Sequence, residues 1–255
     1  MFPIRDTTPR TGTPYVVYAI ILANALVFLR EISLGLLAGG RGEEIISLFY
    51  TYGLVPIFYS DPKMAVEAFG HAPGIIDLAL PFVTSVFLHG GIMHILGNMW
   101  MLWIFGDNVE DWMGHAGFAV FYLACGAVAD LTHLLSDMAS TMPTIGASGA
   151  IAGVMGAYFL LYPRAKVVTL VPIFFFIQFV ELPAFVFLGF WFVLQIFSST
   201  AGATASVAWW AHIGGFIFGA AVVFVLRGRA KGGAGGEGTA PKASSHSQKV
   251  DDYWR

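Results

Sequence analysis

Four polar side chains with catalytic potential lie within long apolar stretches of this sequence: His94, Asn98, Ser148 and His212. Ser148 stands in TIGASGAIAG (144–153), where its neighbours on both sides are small residues. A serine hydroxyl becomes a good nucleophile only when a neighbouring base takes its proton, and histidine is the usual base. We therefore expect Ser148 to act as a nucleophile, with His212 as general base and later as general acid.

The other two polar residues fit a site that stabilises negative charge. Attack on a carbonyl carbon places charge on its oxygen, which requires hydrogen-bond donors fixed in advance. Asn98 offers an amide N–H and His94 an imidazole N–H, and their i, i+4 spacing puts both on one face of a helix. Ser148 is predicted in the first turn of its helix, where its backbone N–H lacks an intrahelical partner. These three groups form the predicted oxyanion hole.

Other chemistries find less support in the sequence. There is no HExxH pattern and no pair of intramembrane aspartates, and GASGA lacks the second glycine of GxSxG. The single cysteine, Cys125, excludes a disulfide framework and a cysteine-rich metal site. Asp130 and His133 are the nearby candidates for a third catalytic member, but we expect a Ser–His dyad, with no metal.

Composition places the chain in a membrane. It has 255 residues, of which 57% are hydrophobic and 11% are charged, and its mean hydropathy is +0.73. A soluble domain of this length needs more charge to cover its surface, so we expect a polytopic membrane protein. The formal net charge of −3 indicates no nucleic-acid partner. The polar start, MFPIRDTTPRTGTP, does not resemble a cleavable signal.

The apolar runs predict an all-α fold with six transmembrane helices. A span needs roughly 20 apolar residues, and the six candidates are Tyr15 to Leu37, Gly91 to Asn108, Phe118 to Leu135, Ser148 to Tyr162, Glu181 to Phe197 and Val207 to Leu226. The predicted organisation is an N-terminal segment (1–14), a six-helix core (15–227) with a long irregular loop (38–90) between its first two helices, and a flexible Gly/Ser-rich tail (228–255). We interpret residues 106–117 as an acidic loop and residues 167–180 as a loop buried at the interface.

The distribution of basic residues predicts the orientation. Most Lys and Arg residues fall on the side that holds both termini, which is therefore expected to be cytoplasmic. Spans two, four and six then start on the outer side. Span four, at 1.5 Å per residue, is only about 22 Å long against a hydrocarbon core of about 30 Å. With Arg164 at the inner surface, Ser148 is predicted at a recessed outer end, level with the other three polar residues.

Small residues would let the helices that carry these groups approach one another. Gly149 on span four and Gly215 and Gly219 on span six lie at spacings that favour close packing in lipid, and Gly146 precedes the serine. Each feature alone has a simpler interpretation, since an intramembrane serine or histidine usually serves packing or a satisfied hydrogen bond. The agreement of four polar residues on three helices favours catalysis.

Three stretches, LHGGIMHILGNMW (88–100), PTIGASGAIAG (143–153) and WWAHIGGFIFG (209–219), resemble the rhomboid family of intramembrane serine proteases, and GDNVED together with the region 170–191 resembles its bacterial members. The resemblance implies a six-helix bundle in a bacterial plasma membrane, with a water-filled cavity that opens outward. It implies a Ser148–His212 dyad, an oxyanion hole that includes His94 and Asn98, and a structural role for His89 in joining the first loop to span two. It also implies a lateral gate at span five, transmembrane proteins as substrates and no cofactor, and we expect a functional monomer.

Two departures from the family pattern concern the surroundings of the dyad. Leu80-Pro81 stands where many members have Trp-Arg, and Ala152 stands where some have a tyrosine that stacks on the catalytic histidine. Trp209 and Trp210 are the candidates for holding the His212 ring instead. Two alternatives remain open: a non-catalytic rhomboid-like chaperone or adaptor that binds transmembrane helices, and a small transporter with His94 and His212 in a proton path.

Overall fold

Long apolar helices form the frame of the protein. The computed structural model describes residues 2–38, 42–173, 176–200 and 208–232. Its helices, numbered in chain order, include six long ones: α1 (Tyr15–Ser33), α7 (Ile92–Met113), α8 (His115–Ser136), α9 (Ser148–Leu161), α10 (Ala184–Thr200) and α11 (Trp209–Gly232). The described chain is therefore mostly helical, as its composition predicts.

Several of these helices are suited to crossing a membrane. Among the described residues, α1, α8 and α11 are each long and apolar enough to span a bilayer. A fourth span is possible if the bent pair Ile75–Phe87 and Ile92–Met113, which meet at 82°, counts as one. Helices α9 and α10 are shorter but apolar. The protein is thus an integral membrane protein, while the count of six spans stays a prediction.

The long first loop is built from short helices rather than irregular chain. These are α2 (Glu43–Tyr52), α3 (Ile57–Ser60), α4 (Pro62–Phe69), α5 (Ile75–Ala79) and α6 (Pro81–Thr84), with single 3-10 turns at Leu36–Ala38 and Ser85–Phe87. Pro62 and Pro81 are the first residues of α4 and α6 and do not break them, because a proline in the first turn has no N–H to leave unpaired. At α4, the Asp61 carboxylate also accepts the backbone N–H of Lys63 at 2.9 Å.

The predicted acidic loop at 106–117 is wrong. Helix α7 continues to Met113, and a single residue, Gly114 (φ +74°), connects it to α8. The acidic residues there are partnered: the buried Glu110 carboxylate accepts the backbone N–H groups of Val16 and Val17 at 2.9 and 2.8 Å and so caps the start of α1. Those bonds, made to a distant segment, are invisible in the local sequence pattern.

A three-stranded antiparallel sheet corrects the all-α prediction. Its order is β1 (Phe2–Asp6), β2 (Lys166–Ile173) and β3 (Phe176–Pro183), with Lys166 opposite Pro183. The described residues of the segment 167–180 therefore belong to two paired strands and not to a buried loop, and the fifth long helix begins at Ala184 rather than at Glu181. The Val- and Phe-rich sequence of residues 167–180 favours β-strands. Pro172 stands opposite Ile177 of β3, and among the described residues it lies beyond the pairing of β2 with β1, which ends at Leu170.

Helix α9 lies at the centre of the helical core. Most of its residues are buried, and it packs against α7, α8 and α11. At the other end of the chain, α11 continues to Gly232, beyond the predicted end of the core at residue 227. The remainder of the predicted tail, residues 233–255, lies outside the described residues.

Candidate active site

Ser148 and His212 form a direct hydrogen bond between two helices. Ser148 is the first residue of α9, and its Oγ lies 2.7 Å from Nε2 of His212 in α11. The histidine is buried at 9% exposure, whereas the serine is partly exposed. The two residues are 64 positions apart, so only the packing of α9 on α11 brings them together.

Glycines bring the backbones of α9 and α11 into contact beside this pair. A methyl group added at Gly215 would collide with the carbonyl oxygen of Gly149, and one added at Gly219 would lie 2.6 Å from the carbonyl carbon of Gly153. A methyl group at Gly149 would lie 2.5 Å from Cβ of Ala129 on α8. Any larger residue at these positions would force the helices apart.

A residue that the sequence analysis missed, Gln195 of α10, binds the other side of the His212 ring. Its Oε1 lies 2.8 Å from Nδ1 of His212. The rings of Trp191 and Trp209 also approach the imidazole, at centroid distances of 5.9 and 6.0 Å. Trp210, the other predicted support, is 43% exposed. A lone glutamine in an apolar helix was the available signal, because polar side chains in membrane helices are costly.

Neither candidate for a third catalytic member contacts His212 through a hydrogen bond that the described residues show. The buried Asp130 instead accepts the hydroxyl of Ser85 at 2.6 Å, and the Ser85 carbonyl accepts the backbone N–H of Gly146 at 2.9 Å. Asp130 therefore supports the turn before Ser148. Nδ1 of His133 is buried without a hydrogen-bond partner in the described part of the chain.

His94 faces the turn that leads into α9. Its Nδ1 accepts the backbone N–H of Gly90 at 3.4 Å, and since a backbone N–H can only donate, the ring proton of neutral His94 is on Nε2. That nitrogen lies close to Gly146, where an added methyl group would be 2.6 Å from it. Gly146 also has φ +125°, a conformation that favours glycine. The geometry places an N–H donor beside the residue two positions before Ser148.

Asn98 and His89 form a second polar link. The Asn98 amide donates to Nε2 of His89 at 2.9 Å, and the backbone N–H of His89 donates to the buried Glu31 carboxylate of α1 at 2.8 Å. His89, in the last part of the predicted first loop, is therefore bonded to α7, the predicted second span, and also to α1. The Asn98 amide has a second N–H to offer, since each side-chain amide carries two.

One cavity of about 630 Å³ is lined by Ser148, His212 and several of their polar neighbours. Its lining is largely apolar and includes the polar residues His94, Asn98, Asp130, Ser148, Gln195 and His212. Phe2 and Pro3 of β1 also line it, and the Pro3 carbonyl accepts the indole N–H of Trp100 at 2.7 Å. Within the described residues, no cluster of three His, Cys, Asp or Glu side chains is arranged to hold a metal. The cavity thus brings the hydrogen-bonded pair Ser148 and His212 together with further polar groups in largely apolar surroundings.

The domain match and the most similar proteins that we compared all point to one family. The Rhomboid domain matches residues 79–229, which is more than half of the chain. The presenilin-associated rhomboid-like protein, mitochondrial, of Rattus norvegicus is 28% identical over 209 residues, covering 80% of this chain and 46% of that protein. Its Homo sapiens counterpart is 27% identical over 163 residues, covering 62% of this chain and 40% of that protein.

A yeast protein is similar over a shorter region. Rhomboid protein 1, mitochondrial, of Saccharomyces cerevisiae is 32% identical over 96 residues, covering 36% of this chain and 28% of that protein. The chain thus spans less than half the length of these relatives. The domain match includes the helices that carry all four polar residues, and it confirms the resemblance seen in the three sequence stretches. The chain belongs to the rhomboid family.

Proposed function

We propose that this protein is an intramembrane serine endopeptidase that cleaves transmembrane or juxtamembrane segments of other membrane proteins. The observation that carries the proposal is the 2.7 Å hydrogen bond between Ser148 Oγ and His212 Nε2 inside an apolar cavity. A pair at this distance satisfies the geometric requirement for a nucleophile and its base. Family membership supports the same chemistry.

The first half of the reaction forms an acyl-enzyme. The Ser148 hydroxyl attacks the peptide carbonyl carbon while its proton passes to Nε2 of His212. The oxyanion accepts hydrogen bonds from the Ser148 backbone N–H, the His94 ring and the second N–H of Asn98. Collapse of this intermediate breaks the C–N bond, and His212 returns the proton to the leaving amine.

The second half regenerates the enzyme. Water enters the cavity and attacks the ester carbonyl, and His212 takes its proton. The C–O bond to Ser148 then breaks, the serine recovers a proton from His212, and the new carboxyl terminus departs. These steps need no cofactor or metal, and one copy of the chain carries all the groups they require, so a monomer suffices.

We also propose six membrane spans, formed by α1, the bent pair that ends in α7, and α8 to α11. An even number places both termini on one side, which the basic residues assign to the cytoplasm, and the cavity then opens on the opposite side. The bacterial plasma membrane stays a prediction, and the relatives described above are named as mitochondrial proteins. Fractionation of native host membranes tests the location, and protease protection of tagged termini tests the orientation.

The transporter alternative finds little support in the geometry. Glu181 lies on the exposed strand β3 and pairs with Lys166 at 2.7 Å, and that cation holds the pKa of the carboxyl below its ordinary value. Asp130 is engaged with Ser85. Neither acid forms a hydrogen bond to His94 or His212 among the described residues, so a proton path between the two histidines lacks its acidic partners.

Fluorophosphonate labelling of the purified full-length protein tests the proposal. We expect wild type to be labelled and to cleave a transmembrane test substrate, and Ser148→Ala and His212→Ala to do neither while still inserting into membranes. Ser136→Ala and His71→Ala, both at exposed positions away from the cavity, are the matched controls and should behave as wild type. Folded wild type that is neither labelled nor active would instead support the chaperone or adaptor alternative.

A further inference from the structure

The side chain of Gln195 has an orientation that its own helix determines. Its Nε2 lies 3.2 Å from the backbone carbonyl oxygen of Trp191, one turn earlier in α10. A carbonyl can only accept, so the NH₂ group must face Trp191 and the amide oxygen must face the opposite way. That oxygen lies 2.8 Å from Nδ1 of His212. The amide orientation is thus determined by a backbone group and not by the histidine.

This orientation determines where the His212 proton resides. The Gln195 oxygen accepts, so Nδ1 of neutral His212 must carry the N–H, and Nε2 must present its lone pair. The hydroxyl of Ser148 lies 2.7 Å from that lone pair and donates to it. One chain of hydrogen bonds therefore runs from Ser148 through His212 and Gln195 to the Trp191 carbonyl, with every donor pointing the same way.

We propose that Gln195 is a positioning residue that holds His212 in the tautomer competent to accept the Ser148 proton. The inference rests on the proposed function, since it assigns the part that a third residue takes in that reaction. Without Gln195, neutral His212 is free to carry its proton on Nε2, where it blocks proton transfer from the serine. Gln195 acts through His212 and does not touch the reacting bond.

Beside Nδ1 of His212, a glutamine serves better than a carboxylate such as Asp130, which the sequence analysis named as a candidate third catalytic residue. During the reaction His212 gains a second proton, and the Gln195 oxygen continues to accept from Nδ1 throughout. A neutral amide provides this acceptor without the large desolvation cost of an isolated carboxylate in an apolar interior. Gln195 is 6% exposed, so that cost would be close to its maximum there.

The contacts of α10 keep this acceptor in place. Phe192 of α10 stacks on Phe216 of α11 at a centroid distance of 4.5 Å, and Trp191 packs on the same ring at 6.2 Å. These contacts lie within one turn of Gln195 and connect the two helices that hold the Gln195–His212 bond. The His212 tautomer therefore depends on how α10 packs against α11.

Nitrogen-15 NMR of the full-length protein with labelled histidine tests the inference directly, because the two ring nitrogens shift differently in each tautomer. The His212 signals are assigned by their absence in His212→Ala. In wild type at a pH where the ring is neutral, we expect Nδ1 to carry the proton. A wild-type ring protonated on Nε2 would overturn the inference, whatever the behaviour of any variant.

Variants of Gln195 add a kinetic readout. Gln195→Met keeps the size of the side chain but removes the acceptor, and we expect fluorophosphonate labelling and kcat to fall about 10- to 100-fold with KM unchanged. Gln195→Glu restores an acceptor at Nδ1 and should recover part of the rate. Leu194→Met, on an exposed neighbouring position of α10, is the control and should label as wild type.

The outcomes separate this inference from the proposed function. A Gln195→Met protein that labels at the wild-type rate, or Met and Glu variants that lose activity equally with an unchanged His212 tautomer, would overturn the positioning role. If wild type neither labels nor cleaves, the proposed function fails, and the NMR tautomer still decides whether Gln195 orients the ring. If Gln195→Met does not fold, Gln195→Leu, which also lacks an acceptor, replaces it in both measurements.

Discussion

Gly215→Ala is the sharpest test of how the helices set the distance between Ser148 and His212. The added methyl group would point at the Gly149 carbonyl, where it would collide with the oxygen and lie 3.1 Å from the carbonyl carbon. Carbon atoms in ordinary contact are about 3.5–4.0 Å apart. The carbon contact alone is too short by about 0.4–0.9 Å and the overlap with the oxygen is deeper, so the two helices must separate by about 1 Å.

A separation of that size matters because Gly149 adjoins Ser148 and Gly215 lies within one turn of His212. The Oγ–Nε2 distance of 2.7 Å would grow to about 3.7 Å, beyond the reach of a hydrogen bond. We expect the rate of fluorophosphonate labelling to fall by about 100-fold. Overpacking should also lower the free energy of unfolding by about 1–3 kcal/mol.

Both quantities are measured on the same detergent-purified protein, the first by labelling kinetics and the second by equilibrium unfolding. Gly189→Ala on α10 is the matched control, because its methyl group would meet Phe159 at an ordinary 3.8 Å. It should change neither quantity appreciably. Wild-type labelling by a folded Gly215→Ala protein would refute the reasoning, since the close approach of α9 and α11 would then not control the serine–histidine distance.

Three further predictions follow from other contacts. Gly146→Ala would place a methyl group 2.6 Å from Nε2 of His94 and strain a backbone at φ +125°. We therefore expect the cleavage rate to drop at least tenfold. An unchanged rate would mean that His94 makes no contribution to the oxyanion hole. Asp130→Asn keeps an acceptor for the Ser85 hydroxyl and should retain cleavage within about threefold, whereas a loss of several thousandfold, typical of a triad carboxylate, would contradict the assignment. Burial raises the pKa of Asp6 above 3.8, so its folded form prefers the proton and its contribution to stability is lost as pH rises through the raised value. Thermal unfolding at increasing pH from about 4 upward should therefore show the stability of Asp6→Asn rising relative to that of wild type, and a constant difference would exclude this linkage.

The sequence analysis identified the family and the polar residues because both depend on local patterns. Ser148, His212, His94 and Asn98 are conspicuous in apolar helices, since burying a polar group in a membrane needs a compensating partner. The helix that starts at Ser148 follows from a run of small and apolar residues without proline. The family match at residues 79–229 confirms that reading of the motifs.

Strand β1 was missed because its partner, β2, is far away in the sequence. Phe2 pairs with Leu170, and nothing near either residue indicates the other. Pro172 argued against regular structure, yet it lies within β2 opposite Ile177 of β3, beyond the described pairing with β1. Similarly, the carboxylate of Glu110 suggested a loop until the structure placed the start of α1 against it.

By itself, the sequence determined that the chain lies in a membrane, which family it joins and which residue types are available for chemistry, because hydropathy and short motifs are properties of neighbouring residues. Tertiary structure alone decided the partners. The Ser148–His212 bond joins two residues that are 64 positions apart in the sequence. The carboxylate of Asp130 binds Ser85, and the side chain bound to Nδ1 of His212 is Gln195. A side chain's hydrogen-bond partner depends on how helices pack and rotate against one another, and no local pattern records that rotation.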